Sequence, residues 1–169
     1  PALLLALEIE FDNDLADDAT VLRISGEDTL GFLYELTNAL TLSGIQIQRV
    51  AIRTHGHLAS DTLHVTDESG RKITDPRRLN ELRAAVILIK HFTHMLPQSP
   101  NPEAALLHFR ELLVKLFARA DWSEQVASLD QTEVLGALSR LLGVSDFLCE
   151  ELLRQELGHV MPIVTDPAM

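Results

Sequence analysis

The sequence is poor in aromatic residues and has a single cysteine, Cys149. Phe, Trp and Tyr make up 5% of its 169 residues, so aliphatic side chains must form most of the core. One cysteine cannot form a disulfide within the chain, which fits a reducing compartment such as the cytoplasm. We expect Cys149 to be a small buried hydrophobic side chain rather than a nucleophile.

Positive charge is also scarce. The sequence has 14 Lys and Arg against 25 Asp and Glu, a formal net charge of -11. A nucleic-acid backbone and an anionic membrane both require clustered Lys and Arg, so we expect neither as a partner. No apolar run reaches the length of a transmembrane helix, and residues 1–7 lack the basic region and cleavage site of a signal peptide. Because the sequence does not begin with Met, we expect it to be either trimmed or a fragment of a longer polypeptide.

Catalytic and metal-binding patterns are missing as well. Neither His55 and His57 nor His91 and His94 have a third ligand at a familiar spacing, so we interpret them as surface or partly buried histidines. The acidic run 12–18 lacks the ligand spacing and the glycine of a calcium loop, and we interpret it as a solvated turn. The sequence therefore predicts no catalytic residue, no metal ion and no cofactor.

Strand and helix patterns alternate in residues 19–66. Residues 19–25 alternate in hydropathy like a strand, and residues 31–43 carry apolar side chains at helical spacing. Two further strand patterns follow, at 45–54 and 58–66. This order is the first part of a βαββαβ unit.

A second helix and an N-terminal strand complete the predicted unit. Asp75 and Pro76 are a preferred cap and first residue of a helix, and apolar residues recur at steps of three and four through Met95. Three prolines within residues 97–102 exclude a central strand there and indicate a linker. Because residues 5–11 are the other run that alternates like a strand, we expect them to take the vacant fourth-strand place.

The predicted fold class is α+β. A ferredoxin-like βαββα sheet, with the N-terminal strand replacing the fourth strand, would occupy residues 1–96. The linker 97–102 would lead to a small all-α helical region, residues 103–169. We expect both helices of the first domain to cover one face of the sheet. The candidates for their shared core are Val21, Ile24, Leu33, Leu36, Leu40, Ile47, Leu63, Val65, Leu82 and Val86.

The turn after the first core strand, and the strands that follow it, resemble an ACT domain. The segments DTLGFL (28–33), AIRTHG (51–56) and DTLHVTD (61–67) carry the resemblance. ACT domains are small ferredoxin-like modules that commonly bind amino acids and regulate a linked enzyme. This region is similar to the ACT module of the nitrogen-signalling uridylyltransferase, although Thr29 and Leu30 stand where that family usually has Arg and Pro.

The C-terminal half has a resemblance of its own. Residues 100–109 and 138–148 resemble the helical region before the catalytic domain of glutamine synthetase adenylyltransferase-like proteins. That catalytic domain needs a Gly-Ser turn before an Asp-x-Asp or Asp-x-Glu pair, and no Gly-Ser occurs here. The resemblance implies an amino-acid-sensing regulatory segment without its catalytic domain, which would contact that domain downstream in the parent protein. The alternative is an ACT-fold dimerisation or protein-interaction module without a small-molecule ligand.

The ACT resemblance also implies a ligand site at this turn. By position, its residues are Gly26, Asp28, Thr29, Leu30, Gly31, Phe32 and, from the next strand, Gln46. Asp28 or Thr29 is expected to cap the helix. The first N–H groups of the helix, those of Leu30, Gly31 and Phe32, would receive a carboxylate, and Asp28 would receive an α-ammonium. We expect glutamine or a similar amino acid as the ligand. We also expect a homodimer, since ACT modules often pair and often bind their ligand across the interface.

Overall fold

The computed structural model describes residues 7–29, 31–119 and 133 of the chain. No helix among these residues is both long enough and apolar enough to cross a membrane. The expectations for Leu30, for Cys149 and for most of the region beyond residue 119 lie outside the described residues. The described strands are β1 (Leu7–Asp12), β2 (Thr20–Glu27), β3 (Gln46–His55) and β4 (Leu58–Thr66). The described helices are α1 (Phe32–Leu42), α2 (Pro76–Met95), a short 3₁₀ helix (Leu96–Gln98) and α3 (Pro102–Ala118).

The four strands form one antiparallel sheet in the order β1-β2-β4-β3. β4 lies between β2 and β3 and pairs antiparallel with both, which is the arrangement of a split βαβ unit. β1 pairs with the other side of β2, from Leu7 opposite Gly26 to Asp12 opposite Val21. The prediction that an N-terminal strand fills the fourth-strand place is therefore confirmed, and with it the α+β, ferredoxin-like fold class.

The helices α1 and α2 share one core with the sheet. α2 begins as predicted: its first residue is Pro76, and the Asp75 carboxylate accepts the N–H of Arg77 at 3.0 Å. Residues 84–89 of α2 are all buried, because this helix packs on the sheet, on α1 and on α3. Most of the predicted core residues belong to this cluster, with Leu33 and Ile47 partly buried and Ile24, Leu36, Leu40, Leu63, Val65, Leu82 and Val86 fully buried.

Val21 is the exception among the predicted core residues. The sequence pattern places Val21 and Ile24 in one core, but side chains alternate along a strand, so residues three apart lie on opposite faces. Leu22 and Ile24 belong to the cluster beneath the helices. Val21 is fully buried as well, yet it lies outside that cluster, and the prediction for this residue is wrong.

The third helix, α3, packs against the first two although it follows the proline-rich segment. Phe109 stacks on Phe92 of α2, with ring centroids 3.9 Å apart and ring planes within 4°. Arg110 forms a bidentate ion pair with the buried Glu35 of α1, at 3.1 and 2.9 Å. In the described part of the chain, α3 thus shares the core of the preceding domain. The predicted boundary at 97–102 stays a prediction for the remainder of residues 103–169.

The acidic segment between β1 and β2 is an ordered turn. The Asp12 carboxylate accepts the N–H of Asp14 at 2.8 Å, an Asx turn that satisfies the local backbone. The Thr20 hydroxyl donates to the Asn13 side chain and accepts the N–H of Ile73 at 2.8 Å. These bonds tie the turn to the segment that precedes α2. Within the described residues, no three His, Cys, Asp or Glu side chains are grouped so that they could hold a metal ion.

Candidate functional site

The backbone of the turn between β2 and α1, the predicted ligand site, is anchored to the neighbouring hairpin. The N–H of Asp28 donates to the carbonyl of His57, between β3 and β4, at 2.8 Å. Gly31 has a positive φ of 81°, which favours glycine, and immediately precedes the first helical residue, Phe32. A Cβ at Gly31 would meet no heavy atom within 4 Å, so the outer side of the turn is open.

The cap of α1 differs from the predicted one. The N-cap is Gly31, and no side chain bonds the first N–H groups of the helix. The helix begins three residues after Thr29, so neither Asp28 nor Thr29 occupies the position from which an N-cap side chain acts. The N–H of Phe32 donates instead to the carbonyl of Thr29 at 3.2 Å. One of the three N–H groups predicted to hold a carboxylate is therefore already bonded within the chain.

The last two turns of α2 form the base of the site. The hydroxyl of Thr93 lies 3.3 Å from that of Thr29. Lys90 Nζ lies 4.2 Å from the centroid of the Phe32 ring, within the range of a cation–π contact. Thr29 is 9% exposed, and Phe32 and Lys90 are 2% exposed, whereas Asp28 is exposed. The turn therefore has an acidic outer side and a buried, cationic base.

Lys90 and Asp61 are opposite charges buried in the same region. Asp61, on β4, is 5% exposed. Burial lowers the pKa of Lys90, and the nearby Asp61, Asp28 and Glu27 oppose that shift. Burial likewise raises the pKa of Asp61, and Lys90 opposes it. Each of the two buried groups therefore favours the ionised form of the other.

Neither Lys90 nor Asp61 is among the predicted site residues, although the sequence contains a signal for each. Lys90 lies four residues after Val86 and thus on the apolar stripe of α2. Asp61 stands two residues from Ala59 and from Leu63, both buried, so strand alternation places it on the same covered face. A single charge at an otherwise apolar position is the signal in both cases.

Gln46 lies at the opposite end of the sheet from the turn. It pairs with Thr66, whereas Gly26 pairs with Ala59, and these two partners are seven residues apart on β4. At about 3.3 Å per residue the separation is about 23 Å. Gln46 Nε2 donates to the carbonyl of Glu68 at 3.2 Å. Because α1 leads away from the turn before β3 begins, one amino acid cannot contact both places within a single chain.

Gly26 lies within β2 and borders a cavity of about 400 Å³ at the hairpin end of the sheet. The hydroxyls of Ser25 and Ser60, which also line the cavity, are 3.3 Å apart. None of the other predicted site residues that the structure describes lines this cavity. Its remaining lining residues are Glu8, Arg53, Thr54, His55, Leu58 and Ala59.

Comparison with known families identifies the central part of the chain. Residues 15–92 match the family described as the ACR family N-terminal ACT domain. This segment contains β2, α1, β3, β4 and most of α2, the elements of the split βαβ unit and its second helix. The ACT resemblance of the turn and the strands is therefore confirmed.

The chain is also similar to parts of much longer bacterial enzymes. It is 38% identical over 86 residues to the bifunctional uridylyltransferase/uridylyl-removing enzyme of Caulobacter vibrioides, covering 51% of this chain and 9% of that protein. The enzymes of that name from Gluconobacter oxydans and Azospirillum brasilense are 39% and 37% identical over 79 and 76 residues, covering 47% and 45% of this chain and 8% of each protein. The match thus spans less than a tenth of these relatives. They are named as uridylyltransferases, not as the adenylyltransferases expected from residues 100–109 and 138–148. No solved structure matches the chain significantly.

Proposed function

We propose, on the premise that residues 15–92 form an ACT domain, that this segment is an amino-acid-sensing regulatory module of a nucleotidyltransferase in nitrogen metabolism. The observation that carries the proposal is the match of residues 15–92 to an ACT family together with the similarity of the chain to uridylyltransferases. The β2–α1 turn supports it, being open at Gly31, acidic at Asp28 and cationic at Lys90. A zwitterionic amino acid needs a partner of each sign. In this proposal the module acts in the cytoplasm and has no catalytic role.

The proposed ligand lies across the turn. Its α-ammonium meets the Asp28 carboxylate, and its carboxylate lies at the first turn of α1, where the helix dipole favours an anion. The N–H of Gly31 is the proposed backbone donor, because that of Phe32 bonds to Thr29. Gln46 of the same chain is too distant, so we propose a homodimer in which Gln46 of a second copy faces the ligand.

Two nucleotidyltransferases are candidates for the parent protein. The resemblance of residues 100–109 and 138–148 favours a glutamine synthetase adenylyltransferase-like parent. The names of the similar bacterial enzymes favour a uridylyltransferase. The full-length parent, incubated with radiolabelled ATP or UTP and purified glutamine synthetase, distinguishes them. Label transferred from ATP to glutamine synthetase supports the first candidate. The second is supported if glutamine synthetase stays unlabelled and a cell extract, added to supply another acceptor protein, is labelled from UTP.

The sensing proposal predicts an amino acid with a dissociation constant below about 1 mM, about 4 kcal/mol of binding free energy. Isothermal titration calorimetry of this chain with each common amino acid, glutamine first, measures it. Asp28→Ala should weaken binding by about 1.5–3 kcal/mol, the typical contribution of a charge-assisted hydrogen bond. Gly31→Val should abolish binding, because a β-branched residue is strained at a φ of 81° and narrows the ligand's approach.

The matched control for the binding experiment is Asp17→Ala. Asp17 is also an exposed carboxylate, but it lies in the turn between β1 and β2. This variant should bind as the wild type does. An equal loss of affinity in both aspartate variants would mean that binding depends on the net charge of the chain and not on a contact with Asp28. If the wild type binds no amino acid below about 1 mM, the sensing function is rejected.

A second candidate, a dimerisation or protein-interaction module without a ligand, is favoured by β3. This strand is one edge of the sheet, and all but one of its residues are exposed, including Val50 at 38% and Ile52 at 55%. An open, partly apolar edge strand can pair with another chain. In both candidates we propose a homodimer at micromolar concentration. Light scattering that gives the 18.8 kDa of one chain would contradict the homodimer.

A further inference from the structure

Lys90 is the one buried cation among the described residues, and none of them forms a hydrogen bond or a close ion pair with its Nζ. The charge of Asp61 acts on it from a greater distance. An ammonium carries three N–H donors, and a lysine is almost never fully buried unless it is paired. The Phe32 ring, 4.2 Å from Nζ, offers a cation–π contact but no lone pair. As far as the described residues go, the donors of Lys90 are therefore left for water or for a ligand.

The ammonium of Lys90 lies near the start of α1, where the turn ends. Its Nζ lies against the side chain of the first residue of α1, at the positive end of that helix. On the outer side, Gly31 leaves open space where a side chain would lie. The helix end and the ammonium thus both favour negative charge near Phe32, the residue that they have in common.

We propose that Lys90 binds the carboxylate of the ligand and makes the turn selective for amino acids over the corresponding amines. This inference rests on the proposed sensing function and adds the residue that sets specificity. The ligand reaches the ammonium from the Gly31 side of the turn. Asp28 and Glu27, whose charges act on Lys90, receive the ligand's ammonium on the outer side.

An amine without a carboxylate fits this site poorly for two reasons. It would leave the donors of Lys90 unpaired, and it would bring a second cation close to a buried one. An amino acid supplies the missing acceptor together with a cation for the outer carboxylates. The site therefore rejects one class of compound as well as attracting the other.

The test compares L-glutamine with γ-aminobutyramide, which is glutamine without its α-carboxylate, by calorimetry on the full chain. The wild type should bind glutamine at least about tenfold more tightly than γ-aminobutyramide. Lys90→Met keeps a long apolar side chain and removes the charge. It should weaken glutamine binding by about tenfold or more and leave γ-aminobutyramide binding unchanged or somewhat tighter, since the repulsion between the two cations is removed, so that the discrimination is lost. Lys115→Met, at an exposed lysine on α3, should retain it.

The possible failures are distinguishable. If no amino acid binds the wild type, the sensing function fails and this inference fails with it. If glutamine binds but Lys90→Met discriminates as the wild type does, only the role of Lys90 is overturned. Lys90→Met leaves Asp61 buried without its counter-charge, so circular dichroism must show that the variant is folded. If it is not, Lys90→Met/Asp61→Leu replaces both charges with apolar groups, and the same loss of discrimination is expected.

Discussion

Removal of the Arg110 guanidinium should loosen the attachment of α3 to α1. The Glu35 side chain is 5% exposed, and Arg110 forms two bonds with it, at 3.1 and 2.9 Å. Arg110→Met leaves this carboxylate enclosed without its partner, and breaking a fully buried pair costs about 3–5 kcal/mol. Because the Arg110 side chain is 41% exposed, water screens part of that energy. We expect a loss of about 2 kcal/mol.

Urea unfolding of the full chain at neutral pH, followed by circular dichroism, measures this loss. Glu35→Met/Arg110→Met exchanges both charges for apolar groups. Its free energy of unfolding should be only about 1 kcal/mol below that of the wild type. The double-mutant cycle with the two single variants then gives a coupling energy of about 1–2 kcal/mol. A double variant no more stable than Arg110→Met alone would mean that the two side chains are uncoupled. It would also remove the argument that this pair holds α3 on the ACT domain.

Three further predictions address the core, pH and association. Leu36→Ala, in a fully buried position, should lower the free energy of unfolding in urea by about 2–5 kcal/mol, against about 0.5 kcal/mol for Leu42→Ala at an exposed one. A loss near zero for Leu36→Ala would show that α1 buries a different face. Burial lowers the pKa of His91 below its usual 6.5. As the pH falls, His91 is therefore protonated in the unfolded chain before it is protonated in the folded one. Stability should therefore decrease below about pH 6.5 by at most about 1.4 kcal/mol per pH unit, and urea curves of His91→Leu should show a smaller dependence. Ile52→Lys on the edge strand should dissociate the proposed homodimer in light scattering, whereas Leu107→Lys on α3, also exposed, should not.

Local sequence signals account for most of the fold. Strand alternation and the Asp75–Pro76 helix start predicted the elements to within about two residues at most ends, because each signal acts through the adjacent backbone. The proline-rich segment 97–102 excluded a strand after α2 and so indicated that β1 replaces it. The packing of α3 was not predictable in this way. It depends on Arg110 meeting Glu35, 75 residues away, and no local pattern encodes that contact.

The candidate site was less predictable for a similar reason. The sequence located the turn, but the start of α1 determines which residue caps it, and that start lies at Phe32 rather than at Leu30 or Gly31. Lys90 comes from α2, some 60 residues along the chain, and enters the site only through tertiary packing. The expectation that Gln46 faces the turn overlooked the length of α1, which carries the chain to the other end of the sheet.

The order of elements in this module is a circular permutation of the usual βαββαβ order, and this changes where the chain leaves it. A strand after α2 would return the chain to the sheet. Here α2 leads through Leu96–Gln98 to α3. Next to that exit, Thr93 contacts Thr29, and the His94 ring lies 3.9 Å from the carboxylate of Glu27. The point at which the chain leaves α2 therefore adjoins the β2–α1 turn, so a displacement of that turn would act on the following segment directly and not through the sheet.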